Sequence, residues 1–248
     1  AGVTLTGSSK QIPGASGGIT FTTLTVSGTY TNNNAATLTV STALSGGGTL
    51  TNPASGTLAI GGTSGITTLT ATASGNTVNF NGSGAQTIPA FSYNNLTLSN
   101  AVDTSAANYK TAANTLTVGG TLTINSGNTL DMGSFASSTF GGSSTNSGKI
   151  RWSADNVYVS GIGTTEFYGS TAGNVAAGTS YGNVWFTGTG TKTIGDGIAV
   201  TATGGNVTFG VTVSNNLTVS ATGSLTVTGM DLNNNGTITN NGSISVNP

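Results

Sequence analysis

The segment Phe21-Thr22-Thr23-Leu24-Thr25-Val26-Ser27 is echoed 72 residues later as Tyr93-Asn94-Asn95-Leu96-Thr97-Leu98-Ser99. The same offset relates Leu50 to Leu122, Leu58 to Leu130, Ile60 to Met132 and Gly61 to Gly133. A looser third copy sets Tyr181, Val184 and Phe186 against Tyr93, Leu96 and Leu98, and Leu217, Val219, Leu225 and Val227 against Leu122, Ile124, Leu130 and Met132. A chain that repeats itself in this way is built by stacking one supersecondary unit. The expected organisation is therefore one continuous domain over 1–248, made of three internal repeats of about 1–72, 73–160 and 161–248.

The grain within each repeat is strict alternation. Val3-Leu5, Leu24-Val26, Leu38-Val40, Leu58-Ile60, Val78-Phe80, Leu96-Leu98, Leu116-Val118, Leu122-Ile124, Leu217-Val219, Leu225-Val227 and Ile244-Val246 each enclose one small or polar residue. Apolar side chains then point to one face and hydroxyls to the other, which is the period of a strand. Gly, Asn-Gly and Asn-Asn pieces punctuate these runs and supply turn positions. Helical periodicity is absent, because Gly, Thr, Ser and Asn interrupt every window long enough to carry it.

Two all-β architectures fit such short strands. A right-handed parallel β-solenoid would use about three strands per coil of about 24 residues, some ten coils in all, at ~4.8 Å each. Tandem β-sandwich domains of about seven strands are the alternative. The missing Pro-rich or charged joints near 70–76 and 155–164, and the rung-like tail from Leu225 to Val246, favour the solenoid.

Composition narrows the function. Charged residues make up 4% of the 248, net charge is −1, and there is no His and no Cys. Ser-His and Cys-His nucleophile systems and thiolate metal sites are thereby excluded, and no cofactor is expected. The six acids, Asp103, Asp131, Asp155, Glu166, Asp196 and Asp231, form no close sequence pair or calcium loop, so the chain is not expected to be an enzyme. No apolar run is long enough for a membrane helix, and no basic surface invites nucleic acid. The first residues, Ala1-Gly2-Val3-Thr4-Leu5, lack an initiator Met and a signal h-region and read as a mature secreted product. Lack of Cys fits an extracellular bacterial or archaeal protein.

Gly82-Ser83-Gly84-Ala85-Gln86-Thr87-Ile88-Pro89 followed by Tyr93-Asn94-Asn95-Leu96-Thr97-Leu98-Ser99, with Gly236-Thr237-Ile238-Thr239-Asn240-Asn241-Gly242-Ser243-Ile244 near the end, resembles the repeats of large bacterial secreted β-solenoid proteins, the adhesins and autotransporter-passenger-like surface proteins. The resemblance implies an extracellular, cell-surface, right-handed solenoid with structural or adhesive work.

Particular side chains carry the functional expectations. Lys149, Arg151, Trp152, Asp155 and Glu166 concentrate charge beside Phe167-Tyr168, a composition suited to a lateral contact. Trp185, with Tyr181 and Trp152, is a candidate aromatic contact for a sugar ring or a neighbouring subunit. Thr-x-Thr recurs at Thr37, Thr49, Thr115, Thr121 and Thr237, the sort of hydroxyl row that ice-binding solenoids use, although at irregular sequence spacing. Asn32-Asn33-Asn34, Asn94-Asn95, Asn215-Asn216, Asn233-Asn234-Asn235 and Asn240-Asn241 predict turns and stacked amide ladders. Strand patterning runs from Val3-Leu5 to Ile244-Val246, so these four residues are expected at an assembly interface. The expected function is a secreted structural protein that assembles head to tail with itself into a filament or surface layer. An adhesin stalk or carbohydrate-binding solenoid, with cell-surface glycans as partners, is the alternative. Ice binding is the lesser one.

Overall fold

Alternating runs become strands, and the turn residues between them bend the chain round so that each strand lies beside one about twenty residues away. The computed structural model describes residues 1–14, 16–33, 36–135, 137–168, 173–188, 191–194, 199–203, 211–213, 216–228, 232–234 and 236–247. In chain order the strands are β1 (Gly2–Leu5), β2 (Lys10–Ile12), β3 (Ile19–Val26), β4 (Thr29–Asn32), β5 (Thr37–Thr51), β6 (Thr57–Ile60), β7 (Thr63–Thr70), β8 (Thr77–Phe80), β9 (Gln86–Ile88) and β10 (Ser92–Tyr93). Next come β11 (Asn95–Leu98), β12 (Lys110–Ala112), β13 (Thr117–Val118), β14 (Leu122–Ile124), β15 (Thr129–Asp131), β16 (Thr139–Phe140), β17 (Ser144–Asn146), β18 (Lys149–Trp152), β19 (Gly161–Phe167) and β20 (Gly173–Asn174). The last are β21 (Gly178–Phe186), β22 (Lys192–Ile194), β23 (Ala199–Thr203), β24 (Val211–Val213), β25 (Asn216–Val219), β26 (Ser224–Thr228), β27 (Leu232–Asn234), β28 (Thr237–Asn240) and β29 (Ser243–Asn247).

The ladders among the described residues run parallel. Hairpin-built sandwiches are antiparallel, so the tandem-sandwich alternative is excluded. Both compact units of the chain are β-solenoid, with about ten turns in all. One unit comprises Ala1–Asn128 and Thr139–Ser143, and the other Thr129–Ser138 and Ser144–Pro248.

In the first unit each turn offers three strand positions, and β5 by itself makes a full turn: Thr37–Val40 pairs with β3 and β6, Ala43–Gly46 with β3 and β7, and Thr49–Thr51 with β4 and β7. One column of inward residues runs Ile19, Leu38, Leu58, Val78, Leu96, Leu122, at steps of 19, 20, 20, 18 and 26 residues. Turns are thus nearer twenty residues than the expected 24. From Leu38 onward this column is fully buried, as is the parallel column Val40, Ile60, Phe80, Leu98, Ile124. Each such side chain contributes about 1.5–3 kcal/mol through removal from water. The 72-residue echo does not follow these columns. Leu24 stacks between Val3 and Leu44, whereas its echo Leu96 stacks between Val78 and Leu122. The echo records the strand-and-turn grammar, not a return to the same face.

Two devices close the corners. Gly46 holds φ +115°, and a Cβ there would strike the Val26 carbonyl of the previous turn; at Gly28 one would strike the Gly7 carbonyl. Buried asparagines at turn ends tie neighbouring turns, Asn32 being the first of the run Asn32-Asn33-Asn34 and Asn52 and Asn76 standing singly. Asn32 Nδ2 donates to Asn52 Oδ1 at 3.0 Å, Asn52 Nδ2 donates to the Gly56 carbonyl at 3.0 Å, and Asn76 Nδ2 donates to the Asn52 carbonyl at 2.7 Å.

The second unit repeats the scheme with larger side chains. Trp152, Phe167, Phe186 and Val213 stack in one inward column, and Phe167 lies over Phe186 with ring centroids 5.4 Å apart. Val200, Leu225 and Ile244 form another, and Leu217 and Ile238 a third.

Candidate functional site

The second unit carries a charged side-chain ladder unlike any other among the described residues. The register Asp131–Arg151–Glu166–Trp185 places four outward side chains one above another on β15, β18, β19 and β21. Alternation forces this: Leu130, Ile150 and Val184 point inward, so their successors point out. Parallel stacking then brings residues 20, 15 and 19 positions apart into adjacent rungs, about 4.8 Å from each other.

Opposite charges meet along the ladder. Arg151 Nη1 lies 3.4 Å from Asp131 Oδ2, and Arg151 Nε donates to Glu166 Oε2 at 3.1 Å. Lys149 Nζ lies 3.3 Å from the same Glu166 oxygen, and the Thr187 hydroxyl donates to Glu166 Oε1 at 2.8 Å. The Tyr168 hydroxyl donates to Asp131 Oδ1 at 2.6 Å, and the Arg151 guanidinium sits 3.6 Å from the centroid of that ring. Burial, then the hydrogen bond and charge of Asp131, push the Tyr168 phenol well above its usual range, with Arg151 opposing them. At the ladder's end the Lys149 ammonium stands 5.3 Å from the centroid of the half-buried Trp185 ring. Two acids and two bases neutralise one another here, and both carboxylates are occupied by donors. Chemically the arrangement is a staple across rungs with one aromatic ring at its rim.

The three aromatic residues singled out from sequence part company. Trp152 is fully buried and Tyr181 nearly so. The Tyr181 hydroxyl donates to the Ala176 carbonyl at 3.0 Å, and its ring packs edge-on against Tyr158 and Phe167. Neither offers a face to a ligand, because strand alternation turns both inward. That expectation is corrected for these two, and Trp185 alone keeps an outward ring.

Val3 and Leu5 are half-buried on β1, Ile244 is half-buried on β29, and Val246 is 42% exposed. Asp155 accepts the Asn174 backbone N–H at 2.7 Å. Asp103 accepts from Ser105 N–H and Asn108 Nδ2, both at 2.8 Å, and these bonds hold its carboxyl below the usual range. Asp196 and Asp231 lie outside the described residues. Among the described residues no group of three or more His, Cys, Asp or Glu converges.

Of the Thr-x-Thr pieces named from sequence, Thr49-Leu50-Thr51 falls in a stack whose other members begin at Thr29 and Thr68, one turn to either side. Thr29-Tyr30-Thr31, Thr49-Leu50-Thr51 and Thr68-Leu69-Thr70 stack rung on rung, Tyr30, Leu50 and Leu69 inward and all six threonines outward. A site the composition did not reveal is Lys110, fully buried with its Nζ donating to the Gly82 carbonyl, to the Gly84 carbonyl at 3.0 Å and to Gln86 Oε1 at 2.8 Å. Only the spacing of the glycines before Gln86 hints at it. Comparison with protein-family models, curated proteins and solved structures returns no match for this chain.

Proposed function

We propose that the chain is a structural module of an extracellular filament or surface layer, assembling copy on copy by the addition of parallel turns. The observation that supports this is at the outermost strands. Among the described residues β1 is laddered to β3 and β29 to β26, and the other side of each strand carries no described partner. Each presents a row of backbone donors and acceptors to a further strand. Their inward residues, Val3, Leu5, Ile244 and Val246, close their columns incompletely and gain cover from an added turn. A non-closing contact of this kind generates an open polymer.

The order of strands says which would meet. In each unit a complete turn contains three strand positions, so the turn β27, β28, β29 is followed in chain order by β1, β2 and Ile19–Phe21 of the next copy. β1 then pairs with β27 and β29 with Ile19–Phe21, rather than β1 with β29 directly. The chain has no cysteine, which makes the junction easy to trap. Adjacent strands lie about 4.8 Å apart, inside the range of a disulfide. In oxidising buffer, Thr4→Cys with Asn233→Cys should give covalent multimers, and Thr4→Cys with Ser245→Cys should not. Wild-type protein that stays single and unpolymerised under negative stain would overturn the proposal.

A second reading follows from the threonine lattice. Six outward threonines in two rows, about 4.8 Å apart along the stack and about 6.7 Å across it, make a rigid array of hydroxyls and methyls. Such spacings are close to those of oxygen rows on an ice surface. In an ice-recrystallisation assay the wild type should hold crystals small and Thr49→Lys should not. Crystal growth equal to that with an inert protein sinks this reading.

A further inference from the structure

A ladder in the first unit breaks in one place, and a cleft opens at the break. β1, β3, β5 and β7 form one continuous ladder on that face, and β9 and β12 form another, but β7 and β9 are not ladder partners. The cause is local. Two residues join β6 to β7, whereas five, Asn81–Ala85, join β8 to β9. That longer corner turns the Gly82 and Gly84 carbonyls onto buried Lys110, while Gln86 Nε2 donates to the carbonyls of Ile60 and Gly62, both at 2.8 Å. Lys110 and Gln86 thus hold β9 away from the edge of β7.

The cleft has a volume of about 370 Å³ and is lined by Leu44, Ser45, Ser64, Thr87, Tyr109 and Thr111 among others, none of them charged. Ser64 stands in the column that holds Leu44 one turn before and Leu24 two turns before. Its hydroxyl is wholly buried and finds no protein partner. A buried hydroxyl without a partner costs about 1–3 kcal/mol, so its presence at an apolar position asks for an explanation. Backbone groups converge as well. Gln86 N–H donates to the Tyr109 carbonyl and Ala113 N–H to the Ile88 carbonyl, so β9 bonds to β12 through residues 86 and 88. Alternation then aims the N–H and C=O of Thr87 at the cleft.

We infer that this cleft is a binding site for a neutral saccharide, a single hexopyranose ring or the end of a glycan chain. Its volume falls at the small end of ligand sites. The lining hydroxyl, amide and phenol groups complement sugar hydroxyls, and the neighbouring Lys110 ammonium is fully buried and held by three carbonyl oxygens, so the lining itself gives no counter-charge to a phosphate, sulfate or uronate. Leu44 lies fully buried beneath the cleft, and Ser64 gains its missing partner from a sugar hydroxyl. The site is independent of end-to-end assembly.

Saturation-transfer NMR with glucose, galactose, mannose and N-acetylglucosamine, and with glucuronate as the charged comparator, tests this on the whole chain. At least one neutral sugar should show transfer, and glucuronate should not. Ser64→Ala, a small change that fills no space, should weaken the binding about tenfold through loss of one hydrogen bond. Tyr109→Ala should abolish it. Circular dichroism checks that each variant keeps its β-structure, and sedimentation should be unchanged, so failure here leaves the assembly reading standing. No transfer from any neutral sugar at tens of millimolar, equal transfer from glucuronate, or unweakened binding by Ser64→Ala each overturns the assignment.

Discussion

A lysine with no carboxylate beside it is an unusual thing to bury. Lys110 sits at a corner where three carbonyl oxygens, from Gly82, Gly84 and Gln86, take the place of a counter-ion. Burial pulls its pKa from 10.5 to about 8. In the unfolded chain the amine keeps its ordinary value, so between these two values the unfolded state binds more protons than the folded one. Stability therefore rises as pH climbs from about 8 toward 10.5. Lys192, whose pKa burial also lowers, adds in the same direction. Above the ordinary tyrosine range the sign reverses: burial raises Tyr93, Tyr168 and Tyr181, and stability falls as the unfolded phenols ionise first. Urea midpoints across this range should show the rise in wild type and a flatter profile in Lys110→Met. An identical rise in that variant contradicts the assignment to this amine.

Among elements, the charged ladder from β15 to β21 is the strongest tie between turns that the described side chains make. Arg151 touches Asp131, Glu166 and the Tyr168 ring at once. Arg151→Met leaves two carboxylates facing each other across β18, and removing one partner of a buried pair costs about 3 kcal/mol or more. The thermal midpoint should drop by roughly 5–10 °C, and adding Glu166→Gln should recover part of that loss. Additive losses in the double variant would mean that the ladder does not act as one network.

How far these elements were legible depended on range. Leu38-Thr39-Val40 and Leu58-Ala59-Ile60 read as strands from their own alternation, and their burial followed. The ladder did not: Asp131, Arg151 and Glu166 lie 20 and 15 residues apart, and only the lengths of the intervening turns bring them together. Trp152 and Tyr181 were misread for a related reason. An aromatic residue near charged neighbours resembles a contact site, but its facing is set by strand phase, and Ile150 and Trp152 share the inward phase. The 72-residue echo misled at a longer range, since its offset is not a whole number of turns that run mostly near twenty residues. The Thr-x-Thr pieces named from sequence do not share one face: Leu38 and Leu122 of two of them stand in one column, whereas Thr49-Leu50-Thr51 stacks with the pieces that begin at Thr29 and Thr68.

For the whole molecule, composition and edges point the same way. Six acids and five bases over 248 residues leave little net charge to keep copies apart. Parallel strands with an open side are templates for more of the same. With charged residues at 4% of the chain, the proposed association would be set at the strand edges and should depend weakly on salt.

Sedimentation velocity of the wild-type chain over a range of concentrations, beside a variant carrying Thr4→Pro on β1, puts the central claim to the test. Proline removes a ladder donor from the edge strand and leaves the interior columns alone. The account predicts that the wild type shifts to large, concentration-dependent species and that the variant stays at the monomer value with unchanged circular dichroism. A wild-type chain that sediments as a monomer at every concentration, or a Thr4→Pro chain that polymerises equally well, would contradict it.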